Sequence, residues 1–244
     1  MLIYGINPVL EALRAKRVST IRVANRADAR LAALLQAAEQ GGVAIQRVSS
    51  VDLDRAARGG AHQGVAAEVR EIGPATFEDL VVPANGTPLI VVLDGIEDPH
   101  NVGAILRTVD AAGATGVMRQ SRHAAPLGGA AAKASAGAVA HVKIVEVVNI
   151  ARALEALKEA GVWTVGLAGG ASKSYDEVDF MLPTALVVGA EAGGLRRLVR
   201  DRCDWLVSIP MLGHVQSLNV SVATGIALFE AVRQRRAARS HPGS

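Results

Sequence analysis

Three separated stretches pair glycine with side chains able to hold a ligand or steer a reaction. The first is Asp98-Pro99-His100-Asn101-Val102-Gly103-Ala104-Ile105-Leu106-Arg107-Thr108. Asn101, Ala104 and the pair Arg107–Thr108 recur at intervals of three to four, which predicts one side of a helix with Arg107 below Asn101. An amide there can orient a substrate, and a guanidinium can grip a phosphate or steady a developing negative charge. The second stretch is Gly189-Ala190-Glu191-Ala192-Gly193-Gly194, where missing Cβ atoms let backbone approach a ligand. The third runs from Ile209 to Val232, with Ser217 and Asn219 at the mouth of a long apolar helix. The first N–H groups of a helix lack partners and its dipole is positive there. Asn219 suits the N-cap. Taken singly, each stretch has an ordinary reading: a first-turn amide with a salt-bridged surface arginine, a turn with a surface carboxylate, and a capped core helix.

The elements that would position these residues alternate. Leu89-Ile90-Val91-Val92-Leu93-Asp94 is an apolar run suited to a parallel strand buried on both faces. Asp98-Pro99 opens a helix to about Ala112. Further strands are expected at 116–119, 141–147, 162–167, 185–189 and 205–209, with helices at 127–135, from Asn149 to Ala160, and at 196–202. Val220, Ala223, Ala227 and Ala231 fall at helical spacing beside Ile226 and Leu228, so the last helix is largely buried. This rhythm predicts a mostly parallel α/β sheet, whose ligands sit outside the carboxyl ends of the strands. Ahead of it, residues 1–70 read as a small α/β unit. Asn7 is placed to cap a helix with Pro8 at its first position, strands are expected at 21–24, 43–48 and 65–69, and helices at 28–40 and 51–57. Residues 71–87, with Pro74, Pro83 and Asn85-Gly86, read as a linker holding one helical turn. The tail 239–244 is expected to fray.

Composition narrows the class. Of 244 residues, 50% are hydrophobic, enough for a real core, while 3% aromatics argue against extensive base stacking. The formal charge of +3, supplied mostly by arginine, permits a nucleic-acid partner. One cysteine, Cys203, excludes an internal disulfide or a thiolate cluster and suits a reducing cytoplasm as a buried small apolar residue. No metal is expected, because no His-Glu-x-x-His or cysteine pair is present. No membrane span or signal peptide is expected either. His100, His123 and His214 are expected in loops beside the three stretches. No Gly-x-Gly-x-x-Gly turn follows the first strand of the larger unit, which argues against a Rossmann-type enzyme.

Together the stretches carry a resemblance. Asn-x-Gly-x-x-x-Arg-Thr at 101–108, Gly-x-Glu-x-x-Gly-Leu at 189–195 and Ile-Pro-Met…Ser-Leu-Asn-Val-Ser-Val-Ala at 209–223 resemble, in order and spacing, the three motifs of the SpoU (TrmH) RNA 2'-O-ribose methyltransferases. Residues 1–70, with Tyr4-Gly5-Ile6-Asn7-Pro8-Val9 and His62-Gln63-Gly64, are similar to that family's small RNA substrate-binding domain of the ribosomal-protein L30e type. The resemblance implies a SPOUT-type α/β knot, trefoil-threaded, over 88–238. It implies S-adenosylmethionine as cofactor, held mainly by backbone near Leu167, Gly189, Ile209 and Leu218. It implies a cytoplasmic homodimer with the last helix at the interface. Its implied substrate is 23S rRNA, at a guanosine of the peptidyl-transferase P loop. The same chemistry on tRNA or at an antibiotic-resistance rRNA site, or a non-catalytic role in ribosome assembly, stays open. In the loop after the second strand of the larger unit, Gly128-Gly129 and Ala130–Ala132 are blander than a usual RNA-contacting loop.

The resemblance also assigns the catalytic set: Arg107, with Asn101, Glu191, Ser217 and Asn219 around it. A ribose 2'-OH must lose its proton as the methyl transfers, so a group must orient the oxygen and accept the proton. Arg107 could deprotonate in a dry site, or stay charged, clamp the substrate phosphate and stabilise the developing alkoxide. The second role is favoured, because bringing an arginine to neutral pH costs about 7 kcal/mol. Ser217 and Asn219 would position the ribose or relay the proton, and Asn101 and Glu191 would orient Arg107 and the loops.

Overall fold

A computed structural model describes residues 2–25, 31–57, 60–69, 75–122, 124–190 and 193–240. The chain divides into two compact units, Met1–Gly73 and Pro74–Ser244.

The first unit runs β1 (Leu2–Tyr4), α1 (Ile6–Arg14), β2 (Val18–Ala24), α2 (Ala32–Gln40), β3 (Ala44–Val48), α3 (Ser50–Ala57) and β4 (Val65–Val69). The sheet order is β1-β4-β2-β3, with β2 and β3 parallel and β4 antiparallel to both β1 and β2. Strand alternation sends Ile21, Val23, Val65 and Ala67 to one face, where Val9, Ala12 and Leu13 of α1 and Leu34 and Ala38 of α2 close the core. Ala24 and Ala66 join Leu53 of α3 in a smaller cluster. The start of α1 differs from expectation. Gly5, at φ 96°, is the N-cap, so Asn7 and Pro8 fall inside the first turn. The first N–H, of Ile6, donates to Gln63 Oε1 at 2.9 Å, so a residue 57 positions away does the work expected of Asn7. β1 was not expected. Residues 26–30, the expected start of the second helix, lie outside the described residues.

The second unit runs α4 (Phe77–Val81), β5 (Leu89–Asp94), α5 (Pro99–Ala111), β6 (Gly116–Gln120), α6 (Ala130–Ala134), β7 (Ile144–Val147), α7 (Ile150–Glu159), β8 (Trp163–Leu167), β9 (Lys173–Ser174), β10 (Thr184–Gly189), α8 (Arg197–Arg202), β11 (Trp205–Ser208) and α9 (Val220–Ser240). Its sheet has the order β7-β6-β5-β10-β8-β11-β9, and all its pairings are parallel. An all-parallel sheet must be covered on both faces. Leu89, Val91 and Leu93 face a core shared with α5 and α9, and Ile90 and Val92 face the core under α4, α7 and α8. β5 continues by α5 to β6 on one side, whereas its neighbour β10 continues by α8 to β11 on the other. The ends of β5 and β10 are therefore a topological switch point, where ligands of open parallel sheets bind.

Local chemistry sets the helix starts. Asp98 accepts from His100 N at 2.9 Å and Pro99 takes the first position of α5; Asn149 accepts from Arg152 N at 3.1 Å to cap α7. His100 thus lies in a helical turn rather than a loop. Within 71–87, Thr76 and Asp79 form a reciprocal capping box for α4, whose Leu80 is buried in the second unit's core. The helical turn expected in this segment is therefore present as α4, five residues long. The helix expected at 127–135 is cut to Ala130–Ala134 behind Gly129 at φ 55°, and a 3-10 turn at Ala138–Ala140 shortens the strand expected at 141–147.

Candidate active site

The parallel sheet collects the site. β10, β8 and β11 are neighbours, so Gly189, Leu167 and Ile209 stand at or just past three adjacent carboxyl ends, spread over about 10 Å at ordinary strand spacing. Gly189 is also the register partner of Asp94, which ends β5. The loop after β10 folds back over Gly189: a Cβ there would lie 2.1 Å from Gly194 C and 2.2 Å from Gly194 O, and Gly194 N donates to Ala190 O at 2.7 Å. Glycine is required by this close approach. Gly169, Gly193 and Gly213, one in each loop after β8, β10 and β11, have nothing within 4 Å of a built Cβ, so a side chain at each of them would meet no obstruction.

The first and third stretches meet directly. Asn219 Oδ1 accepts from Ser221 N at 2.9 Å and from Ser221 Oγ at 2.6 Å, capping α9 as expected. That fixes the amide, so Asn219 Nδ2 donates to Asn101 Oδ1 at 2.9 Å. Asn101 is buried on the first turns of α5. Below it, Thr108 lies 3.6 Å from the Cβ position of Gly225, so a small residue on α9 lets the two helices pack closely. Replacing Asn219 by alanine removes a cap and one buried amide contact. The expected loss is about 1–2 kcal/mol of unfolding free energy, read from urea denaturation, with little change in the urea dependence.

The spacing alone suggests that Arg107 shares the side of α5 that carries Asn101; it does not. Six residues turn a helix through about 600°, so Arg107 lies roughly 120° round α5 from Asn101, whereas Thr108, seven residues on, returns to within about 20°. Arg107 is exposed and has no hydrogen bond or ion pair among the described residues. Ser217 is likewise exposed, and Leu218 half-buried, in the segment leading to α9. Glu191 and His123 lie outside the described residues; His214 is exposed. The structure therefore joins Asn101 with Asn219, gathers Leu167, Gly189 and Ile209, and leaves Arg107 facing outward.

One cluster was missed. Asp94 is buried at the end of an otherwise apolar strand. Its Oδ2 accepts from Arg196 N at 2.8 Å and its Oδ1 from Arg196 Nε at 2.6 Å, while the Arg196 Nη2 donates to Gln120 Oε1 at 2.7 Å. A charge closing the run Leu-Ile-Val-Val-Leu-Asp was the signal that could have found it. Beside it Arg119 is buried: burial pushes its guanidinium below the ordinary value, with Glu146 opposing, and Nη1 donates to Ala125 O at 2.8 Å. Burial pushes the Cys203 thiol up to about 12, so it is no nucleophile. Among the described residues no group of three His, Cys, Asp or Glu gathers as metal ligands, and no helix is long and apolar enough to cross a membrane.

Residues 88–229 match the SpoU rRNA Methylase family, and residues 2–75 match the RNA 2'-O ribose methyltransferase substrate binding family. The chain belongs to the SpoU rRNA methylase family. It is similar to the 23S rRNA (guanosine-2'-O-)-methyltransferase RlmB of Pseudomonas syringae pv. tomato, with 45% identity over 97% of both chains. Among solved structures it is similar to the SpoU methyltransferase AviRb from Streptomyces viridochromogenes in complex with AdoMet, at TM-score 0.78 and 28% identity, covering 97% of this chain and 91% of that one. An AdoMet-bound rRNA methyltransferase from Sinorhizobium meliloti aligns at TM-score 0.75 and 26% identity, covering 95% of this chain and 86% of that one. The expected α/β fold of SpoU type, with its mostly parallel sheet and separate small N-terminal unit, is the one found.

Proposed function

We propose that this chain transfers a methyl group from S-adenosylmethionine to the ribose 2'-hydroxyl of a guanosine in 23S rRNA. The observation that carries the reading is the Asn219–Asn101 hydrogen bond, which joins the third motif to the first beside the switch point. The relatives named as acting on 23S rRNA guanosine and as holding AdoMet support the substrate and the methyl donor. Bound at the site, the donor supplies an electrophilic methyl group.

The residues present fit such a donor. Leu167, Gly189 and Ile209 stand at or just past adjacent strand ends beside glycine-bearing loops, so backbone N–H and C=O groups can grip a polar ligand with few side chains intervening. Leu218 would close the same edge from the segment before α9. Asn101, fixed by Asn219, would orient the ribose side of the site, with Ser217 beside it. Arg107, exposed on α5, acts as a charged clamp: it holds the substrate phosphate and stabilises negative charge on the 2'-oxygen as its proton leaves. Holding that oxygen in line with the methyl supplies much of the rate. Glu191 would steer the loop after β10. The first unit, residues 1–70, would recognise the RNA, and the work would be done in the cytoplasm, where rRNA is made.

The chain works as a homodimer in this reading. α9 leaves Val222 and Phe229 half exposed, and Phe229, Val232, Arg233, Arg236 and Ala237 line an open groove along it. An apolar strip on a long helix is the surface a second copy would cover. Phe229→Glu is expected to give a monomer in analytical ultracentrifugation at concentrations where the wild type is dimeric; an unchanged sedimentation coefficient would remove α9 from the interface.

The functional reading is tested by mapping 2'-O-methylation across rRNA from a strain lacking this protein. Loss of one guanosine modification in 23S rRNA is expected, and restoration of it by the chain supplied in trans. An unaltered 23S pattern would refute the reading.

A further inference from the structure

We propose that Arg196 is a positioning residue for the methyl-donor end of the site, acting through Asp94 and Gln120. The inference rests on the functional reading above and adds how the loop carrying the second motif is held in shape.

The loop after β10 has two demands on it. Its first residue, Gly189, sits under Gly194 with no space for a side chain, and Gly194 N closes the turn onto Ala190 O. Two residues later Arg196 must leave the loop and start α8. Glycine at 193 and 194, the latter at φ 62°, gives the described end of this loop wide conformational freedom, so contacts beyond its own turn matter to its shape. Leu195 at the loop exit is buried in the core, and the ends of two other strands add a polar hold. Asp94, the register partner of Gly189, holds Arg196 twice, once by the backbone N–H and once by Nε, and the carboxylate is fully buried while the guanidinium is half exposed. The guanidinium Nη2, itself 2.5 Å from Asp94 Oδ1, also donates to Gln120 Oε1 at the end of β6. One side chain thus ties together the ends of β5 and β6 and the exit of the loop over β10. A charge-assisted contact made to a buried carboxylate is strong and geometrically strict.

The consequence is specific. If Arg196 lets go, β10 itself stays paired on both sides, but the loop above Gly189 is free to shift, and backbone groups placed to hold the donor lose their geometry. The effect falls mainly on donor affinity, because Asn101 and Arg107 lie on α5 and Asn219 caps α9, and of the proposed catalytic set only Glu191 belongs to the loop.

The test uses the full chain and compares wild type, Arg196→Ala, Arg196→Lys and Gln120→Ala. S-adenosylmethionine affinity is measured by calorimetry, donor KM and kcat on 23S rRNA by initial rates, and Tm alongside. Arg196→Ala should raise Kd and KM for the donor about tenfold or more, with kcat at saturating donor falling less than about threefold. Arg196→Lys, which restores one charged contact to Asp94 but not the fork, should fall between. Gln120→Ala keeps the Asp94 contacts and should raise donor KM about two- to threefold; it decides the matter should Arg196→Ala not fold. A folded Arg196→Ala protein with donor affinity within twofold of wild type overturns the proposal. So does a fall in kcat and Tm with unchanged donor KM, the signature of a purely structural arginine. A wild-type chain that binds no S-adenosylmethionine overturns the functional reading and this proposal together, whereas failure confined to the variants overturns this proposal alone.

Discussion

Arg107→Ala is expected to slow ribose methylation by about 10²–10³-fold, the usual cost of removing one group that stabilises developing charge. Because Arg107 is exposed and has no protein partner among the described residues, its loss leaves no buried group unsatisfied. Tm and donor affinity should therefore stay within error of wild type, and the loss should fall on kcat. Arg107→Lys separates the two roles open to the arginine. A clamp that works by charge alone is partly restored by lysine, whereas a forked grip on phosphate is not. Initial rates at saturating donor and RNA read both variants. A rate for Arg107→Ala within threefold of wild type would remove this residue from the chemistry.

Gly189→Ala is expected to give the second large effect, on binding and stability together. The added Cβ meets backbone atoms of Gly194 and Leu195 at 2.1–2.4 Å, not the end of a flexible side chain. The loop must move as a unit or the strand end must shift. Overpacking of this kind costs about 1–3 kcal/mol. The displaced loop should also weaken S-adenosylmethionine binding by at least about tenfold, measured by calorimetry on the folded fraction. Gly193→Ala is the control: its Cβ meets nothing within 4 Å, so it should bind the donor nearly as wild type does. Equal affinities for the two variants would mean that the close approach at Gly189 has no part in holding the donor.

What the sequence made legible follows from the range of the forces involved. Leu89–Asp94 announces a doubly buried parallel strand because burial on both faces removes the alternation of polar residues. Asp98, Asn149 and Asn219 announce helix starts because a cap bonds within three residues of itself. Contacts between distant residues left no such mark. Gln63 takes the first N–H of α1 from 57 positions away, so Asn7 looked like the cap. Asp94 and Arg196 are 102 positions apart, and their pairing exists only once β5 and β10 are neighbours. β9 is two residues long and is defined by its pairing to β11, not by any pattern of its own. Arg107 was misplaced for another reason: it was grouped with Thr108, yet on a helix adjacent residues differ by about 100°, and only Thr108 shares the buried side with Asn101. The motif resemblance supplied what spacing could not, namely the expectation that three stretches with ordinary local readings serve one site, of which the structure joins the first and third through Asn101 and Asn219.

The most direct test of the account is transfer by the purified chain from methyl-labelled S-adenosylmethionine to 23S rRNA, followed by alkaline hydrolysis. Cleavage of RNA by base needs a 2'-hydroxyl to attack the neighbouring phosphate, so a 2'-O-methyl ribose survives as an uncut dinucleotide. The account predicts label in a single alkali-resistant dinucleotide beginning with guanosine, and none with Arg107→Ala at the same time point. Label released in mononucleotides, which would place the methyl on a base, or no transfer at all, would contradict it.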